Sequence, residues 1–410
     1  MDTLIQQLAF PSSALLAVAF LALILVLRRY AGRSLVVRGL SSVRTARILL
    51  AAGAIILAVE GTWSLPIHRS PLFLAYALLM LASLGFTILN GLKRKAKTGF
   101  LLNHLGIFLI VWAALFGAPD VSRSKMMVSK GDAVNFSYEA DGHVIPLPFT
   151  VALQDFVIDL YPDGKSPRQY TSQLLLDGQA TSVSVNNPLS HKGYTLYQES
   201  FDREEGRYTV LQVVRDPWLP LIYLGMTLLA AGSILLLFSK WKSRYVIPVT
   251  LVLTALFTAF SVAKVNFGTL MPALRSWWFV PHLFIYMVAY SLMAIALIMW
   301  LLAAARKKPH WQQLSDNLVR SSSALLIIGM LTGSVWARQA WGDYWAWDPK
   351  ENWAAATWLL SLMHLHLQDK RGWKGIVILV LTFLALQITW YGVNYLPSAA
   401  ESLHTYNKRS

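Results

Sequence analysis

The sequence predicts an all-α polytopic membrane protein of about ten transmembrane helices, with one small extracytoplasmic β domain inserted between helices 4 and 5. Three observations predict it. Hydrophobic residues make up 55% of the 410 positions and charged residues only 14%, whereas a soluble domain carries about 25% charged residues. The apolar residues gather in runs close to the ~20 residues that cross a ~30 Å hydrocarbon core. The basic residues sit in short loops between those runs, as the positive-inside rule requires. The net charge of +15 is therefore a topology signal, not a nucleic-acid one.

Ten apolar runs read as helices, near 12–28, 46–61, 71–91, 99–117, 216–238, 245–264, 280–303, 318–338, 350–367 and 374–393. The second and ninth are short. The first follows "MDTLIQQLAFP" with no basic flank, so it reads as a membrane helix and not as a cleaved leader. Five loops hold the arginines and lysines: 28–47, 92–98, 239–244, 306–317 and 369–374. They alternate along the ten helices, so all five fall on the cytoplasmic side. Both termini, the segment 119–214 and the stretch 341–358 then lie outside.

Segment 119–214 is the one soluble-looking part. It alternates apolar and polar residues in "ATSVSVN", "YTLYQESF" and "RYTVLQVV", with turns at "PDGKS" and "LDGQ". That pattern predicts a small antiparallel β domain. The organisation read from these runs is a four-helix membrane region at 1–118, the β domain at 119–214 and a six-helix membrane domain at 215–410. The chain has no cysteine. Disulfides, thiol nucleophiles and thiolate metal sites on this chain are thereby excluded.

Depth sorts the nine histidines. His104 lies about six residues inside the cytoplasmic end of the fourth helix, and His366 lies four residues before Lys370. At ~1.5 Å per residue both sit in the inner leaflet at similar depth. His282 opens the seventh helix at the outer surface, and His404 lies in the outer tail. An ionisable residue inside a membrane is costly and is a functional hypothesis by default. The plain alternative for each is an interfacial or hydrogen-bonded side chain. His364 stands two residues from His366, roughly 200° around a helix, so both cannot face one ligand. His68 could serve an outer site but has no supporting motif. His143, His191 and His310 read as ordinary domain or loop residues.

The stretch "WGDYWAWDPKENWAAATW", Trp341 to Trp358, holds five tryptophans in eighteen residues. An aromatic belt is the plain reading. "DPKE" has a local explanation too: Asp348 at the N-cap, Pro349 at N1 and Glu351 at N3 make a capping box that starts the ninth helix. Asp343 reads either as solvent-exposed or as a group with a proton role. A belt takes one or two aromatics per helix end, and this cluster makes a broader platform between two outer histidines. A large flat apolar ligand with a metal at its centre fits such a surface: indoles stack on the macrocycle and imidazoles take the axial positions. Haem is that ligand.

Four stretches resemble a known family. The tryptophan-rich run resembles the WWD signature of haem-handling membrane proteins in cytochrome c maturation. "WLLSLMHLHLQDKRGWKG" and "YGVNYLPSAAESLHTY" resemble further segments of the ResC/CcsA-like half, and "VNNPLSHKGYTLYQESF" resembles a stretch of the ResB/CcsB-like partner. They occur in the order of a fused system II cytochrome c synthase. The tail reads "SLHTY" where the family has "GLHSY", and the soluble domain is small beside that of many ResB proteins.

The resemblance implies a function and a set of residues. His104 and His366 would hold haem b at an inner site. His282 and His404 would ligate the iron at an outer site and serve the reaction there. Trp341, Trp345, Trp347, Asp348 and Trp353 would complete the haem-binding surface. The substrate partner would be an apocytochrome c carrying a Cys-x-x-Cys-His segment. An extracytoplasmic thioredoxin-like protein would keep its thiols reduced. The chain would lie in a bacterial inner membrane. Two other functions fit the same residues: a haem exporter or chaperone that forms no bond, and a membrane redox subunit holding two permanent haems. A purely structural aromatic scaffold is the third alternative.

Overall fold

A computed structural model describes residues 8–202, 205–238, 269–370 and 372–402. The chain is mostly helical with one β insertion, a multi-pass membrane architecture. Ten helices are described: α1 (Ser12–Tyr30), α2 (Leu35–Leu40), α3 (Val43–Trp63), α4 (Pro71–Lys93), α5 (Thr98–Gly117), α6 (Leu219–Phe238), α7 (Phe279–Arg306), α8 (Pro309–Trp341), α9 (Pro349–Leu365) and α10 (Trp373–Trp390). Among the described residues seven helices are long and apolar enough to cross a membrane: α1, α4, α5, α6, α7, α8 and α10. The expected helix at 245–264 lies outside the described residues. Helices also stand where 46–61 and 350–367 predict them, as α3 and α9, but neither is among those seven.

Two differences from expectation have local causes. Residues 309–317 are not a loop but the first turns of α8, opened by Pro309 at the position where a missing N–H costs nothing. The break from α7 is confined to Lys307, at φ +52°, and Lys308. His366 is the C-cap of α9 and not an interior residue.

The insertion between α5 and α6 is a single eight-stranded antiparallel sheet. Its strands are β1 (Ser122–Ser129), β2 (Ala133–Tyr138), β3 (Val144–Leu160), β4 (Pro167–Leu176), β5 (Gln179–Ser184), β6 (Leu189–His191), β7 (Tyr194–Phe201) and β8 (Tyr208–Arg215). The spatial order is β5-β4-β3-β2-β1-β8-β7-β6. Along β1 the buried positions alternate, burying Met126 and Val128 while Met127 stays exposed, the period-2 pattern of a one-sided core. The sheet curls until strands far apart in its order meet. Ser172 Oγ of β4 lies 2.6 Å from Gln198 Oε1 of β7 and 2.8 Å from Thr209 Oγ1 of β8, all buried. The enclosed core runs through Val151, Leu174, Leu196 and Leu211.

In the membrane region small residues set the helix spacing, since lipid offers no hydrophobic drive for helices to associate. A Cβ at Gly106 of α5 would lie 2.6 Å from Leu229 N and 2.8 Å from Gly225 O of α6. Those two backbones therefore touch where no larger residue fits. Between α7 and α8, Ser315 and Ser322 donate to the carbonyls of Ala296 and Ala289, each at 2.7 Å. Helix α9 packs between α3 and α10. N-terminal and C-terminal helices are thus interleaved, which brings the ends of α3 and α4 against the tryptophan run.

Candidate functional site

The tryptophan run begins where α8 stops. Gly342, at φ +88°, caps α8, and the chain stays irregular until Asp348 starts α9. The capping box predicted for "DPKE" is present: Asp348 Oδ1 accepts from Lys350 N at 2.7 Å, and Glu351 Oε2 accepts from Asp348 N at 3.3 Å and from Ala346 N at 2.8 Å. Asp348 is buried, and its Oδ1 also accepts from Ser402 Oγ at 3.1 Å. The C-terminal tail is therefore tied to the start of α9. His404 lies outside the described residues.

A cavity of about 2280 Å³ runs between the N-terminal and C-terminal helices. Small-molecule pockets usually measure about 300–1,000 Å³. His104 and His366 line one end of it; Trp345, Trp347 and His68 line the other. The walls between them are mainly aliphatic, from residues such as Ile107, Leu331, Leu359 and Leu362. The structure thus brings together the two histidines expected at one depth.

The imidazoles share one arrangement. His104 Nδ1 lies 2.8 Å from Phe100 O, His366 Nδ1 lies 2.7 Å from Leu362 O, and His282 Nδ1 lies 2.8 Å from Gly329 O. A carbonyl can only accept, so each Nδ1 carries the proton, and in the neutral ring Nε2 carries the lone pair. That is the tautomer a metal-ligating histidine needs. His364 differs. It is fully buried, its Nε2 lies 3.4 Å from Asp316 Oδ1, and its Nδ1 has no hydrogen-bond partner. Its nitrogen chemistry is turned into the protein, away from the cavity that His366 lines.

His282 sits in the first turn of α7 over glycine on α8. A Cβ at Gly333 would lie 2.6 Å from His282 Cε1, so only glycine lets the ring lie there. Its ring makes an edge contact with Tyr286 at 4.9 Å and a tilted contact with Trp336 at 6.0 Å. A second cavity of about 160 Å³ is lined by His282, Trp336, Trp345, Lys350 and Glu351. Trp345 lines both cavities and so stands between His282 and the larger space.

The tryptophans do not form one platform. Trp345 and Trp347 meet edge to face at 6.2 Å and line the large cavity. Trp341 packs edge-on against Trp336 at 5.5 Å, and Trp353 packs under Gly61 of α3. Trp353 Nε1 is buried without a partner. Trp347 stands at φ +58°, uncommon for a bulky residue. Asn352 Nδ2 donates to its carbonyl at 2.9 Å, and its ring stacks on His68 at 4.4 Å, 8° from parallel.

The β domain grips this region at two points. Arg123 of β1 pairs with Asp343, Nε to Oδ1 at 2.9 Å, so Asp343 is half-exposed and paired. Arg338 is buried with its guanidinium over Tyr197 of β7. Nearby Asp216 is shifted up by burial, which Arg338 partly offsets. At the second point Asn186, inside "VNNPLSHKGYTLYQESF", donates Nδ2 to Pro272 O at 2.8 Å and Ala273 O at 3.2 Å. Tyr161 donates to Leu270 O at 3.0 Å. The loop leading into the His282 helix is therefore held by the sheet. Neither grip has a local sequence signal. Glu60 of α3, buried against His68, does have one: a carboxylate inside an apolar run.

Comparison with known proteins places both halves of this arrangement. Residues 93–207 match the ResB-like family, and residues 218–400 match the family described as cytochrome C assembly protein. One chain joins a ResB-like part to a cytochrome c assembly part. Its relatives include "Cytochrome c biogenesis protein CcsA" of Chlamydomonas reinhardtii, 34% identical over 197 residues, covering 44% of this chain and 55% of that protein. The CcsA of Prochlorococcus marinus strain AS9601 is 28% identical over 264 residues, covering 55% of this chain and 77% of that protein. The CcsA of Gloeobacter violaceus is 41% identical over 96 residues, covering 23% of this chain and 28% of that protein. The chain spans about half the length of the Chlamydomonas reinhardtii protein. In the fused chain, Asn186 and Arg123 of the ResB-like part are the residues that hold the assembly part's His282 loop and tryptophan run.

Proposed function

We propose that the chain works in cytochrome c maturation as a synthase that carries haem across the membrane and attaches it to apocytochrome c. The observation that carries this reading is the shared histidine arrangement. Three separate imidazoles, on α5, α7 and at the end of α9, each donate Nδ1–H to a backbone carbonyl and so present Nε2. The fit to haem rests on that donor set and on a largely aliphatic cavity larger than an ordinary pocket.

In this reading His104 and His366 take haem b from the inner leaflet. His282 and His404 hold it at the outer face, with Trp345 and Trp347 against the macrocycle. Asp348 acts at one remove: it starts α9 and anchors the tail that leads to His404. The histidine of the substrate's Cys-x-x-Cys-His segment replaces one of the outer imidazoles at the iron. Each substrate thiol then adds across a vinyl group: a C–S bond forms, the thiol proton goes to the other vinyl carbon, and the double bond becomes single. The contribution of His282, His404 and the tryptophans is positioning, worth up to about 7–11 kcal/mol of barrier. Having no cysteine of its own, the chain cannot trap haem by the same addition. A thioredoxin-like partner on the outer side keeps the substrate thiols reduced. The β domain, the tryptophan run and both termini face that side of a bacterial inner membrane.

The test is co-expression with an apocytochrome c in a host lacking its own maturation system. Covalent haem on the reporter after denaturing electrophoresis is the expected result. Haem bound to this chain with none on the reporter would leave an exporter or chaperone instead.

A further inference from the structure

The outer end of the large cavity holds a histidine with no role in the reading above. His68 stands in a short 3-10 turn between α3 and α4. Its Nδ1 makes a short contact with Glu60 Oε1, and its backbone N–H donates to Glu60 Oε2 at 3.1 Å. Glu60 is only 3% exposed and His68 is 19% exposed. A buried carboxylate with both oxygens on one residue fixes that residue's ring. It also fixes the tautomer, since an ionised carboxylate only accepts and Nδ1 must carry the proton. Nε2 then carries the lone pair, and it accepts from Arg69 Nε at 3.3 Å. Arg69 is exposed, so that donor is free to swing away.

Carboxylate, histidine and an Nε2 met only by the exposed Arg69 form the arrangement that orients metal-ligating histidines and raises their basicity. Here it is more complete than at His104, His282 or His366, whose Nδ1 groups rest on neutral carbonyls. The ring lies flat on Trp347 and lines the cavity beside Trp345. A ring that only propped up Trp347 would need no buried carboxylate behind it.

We infer that His68, oriented by Glu60, is a further axial ligand for haem iron, receiving it between the inner histidine pair and His282. The inference rests on the haem-carrying function proposed above. It makes His68 a stopping point beside Trp347, reached before the iron binds His282. No electron or proton is exchanged: one imidazole replaces another at the iron.

The experiment uses the full chain in detergent with ferrous haem as probe. His104, His282, His366 and His404 are all replaced by Ala, leaving His68 in place. Expected is a haem with the resonance Raman iron–histidine stretch of a single imidazole ligand whose Nδ1–H is held by a carboxylate. It should vanish on adding His68→Ala, and return in His68→Gly with imidazole in solution. In the otherwise intact chain, Glu60→Gln should keep haem bound but lower that stretch for one part of the bound haem, because the amide withdraws less proton density from Nδ1. This second measurement decides the matter if the fourfold variant fails to fold. An iron–histidine stretch unchanged by His68→Ala in the fourfold variant, or by Glu60→Gln in the intact chain, overturns the inference. Haem bound by the intact chain but not by a folded fourfold variant overturns it while leaving the haem-carrying function standing. An intact chain that binds no haem overturns both.

Discussion

His364 and His366 are two residues apart and have opposite environments, so they should respond oppositely to substitution. His364 is fully buried against Asp316. His364→Ala should cost roughly 2–5 kcal/mol, as large-to-small core changes do, while leaving the spectrum of bound haem unchanged. His366→Ala should change that spectrum with little effect on stability. Thermal unfolding and absorption spectra of the two purified variants check both. In the outer site His282→Gly should abolish reporter maturation, and added imidazole should restore it in part. Full activity without imidazole would remove His282 from the account.

Asp177 offers a pH dependence within the β domain. Lys192 donates to Oδ2 at 2.8 Å, Thr150 N donates to Oδ1 at 2.9 Å, and His191 Nε2 lies 3.0 Å from Oδ2. These partners, Lys192 first, hold the carboxyl well below its ordinary range. A depressed folded pKa means that the unfolded chain binds the proton more readily, so stability rises with pH across that window. The stabilisation is present above the unfolded value of about 3.9 and is lost as pH falls below it. Wild type should therefore melt higher than Asp177→Asn at pH 6, with the gap narrowing as pH falls below about 4. A gap that persists or widens in acid would contradict the assignment.

Among the elements, the sheet and the α5–α6 pair make the sharpest predictions. Asn186 holds the loop in front of α7 through Pro272 O and Ala273 O, the second of which also accepts from Trp336 Nε1 at 2.9 Å. Asn186→Ala should cost about 1–3 kcal/mol locally and loosen His282, reducing outer haem while the inner haem spectrum stays. Gly106→Leu would drive a side chain into the α6 backbone at Leu229 and Gly225. It should misplace His104, two residues away on α5, and lower inner haem occupancy at least several-fold. Haem stoichiometry by site checks both.

What the sequence conveyed depends on how local the physics is at each element. Membrane helices announce themselves by hydropathy, and α1, α4, α5, α6, α7 and α10 lie close to where their apolar runs predict them. The first turns of α8 did not, because "HWQQLSDN" is polar and reads as a loop. The capping box at Asp348 was legible since its partners are three residues apart. The facing of the tryptophans was not: residues 342–348 follow no helical period, and Trp341 and Trp353 turn away from the cavity that Trp345 and Trp347 line. The ion pair of Asp343 was not legible because its partner, Arg123, lies 220 residues away.

At the scale of the whole molecule, the cavity joins the two ends that histidine depth separates. The interleaving of α3, α4 and α5 with α8 and α9 creates it, so neither half encloses it alone. The central claim is therefore directional: haem made inside the cell reaches His282 only after the inner pair has held it. The measurement is haem occupancy of each site, by resonance Raman and absorption spectra, in chains purified from cells given no external haem. His282→Ala should retain inner haem at the wild-type level, and His366→Ala should lose haem at both sites. A His366→Ala chain whose outer site is as fully loaded as wild type would contradict the account.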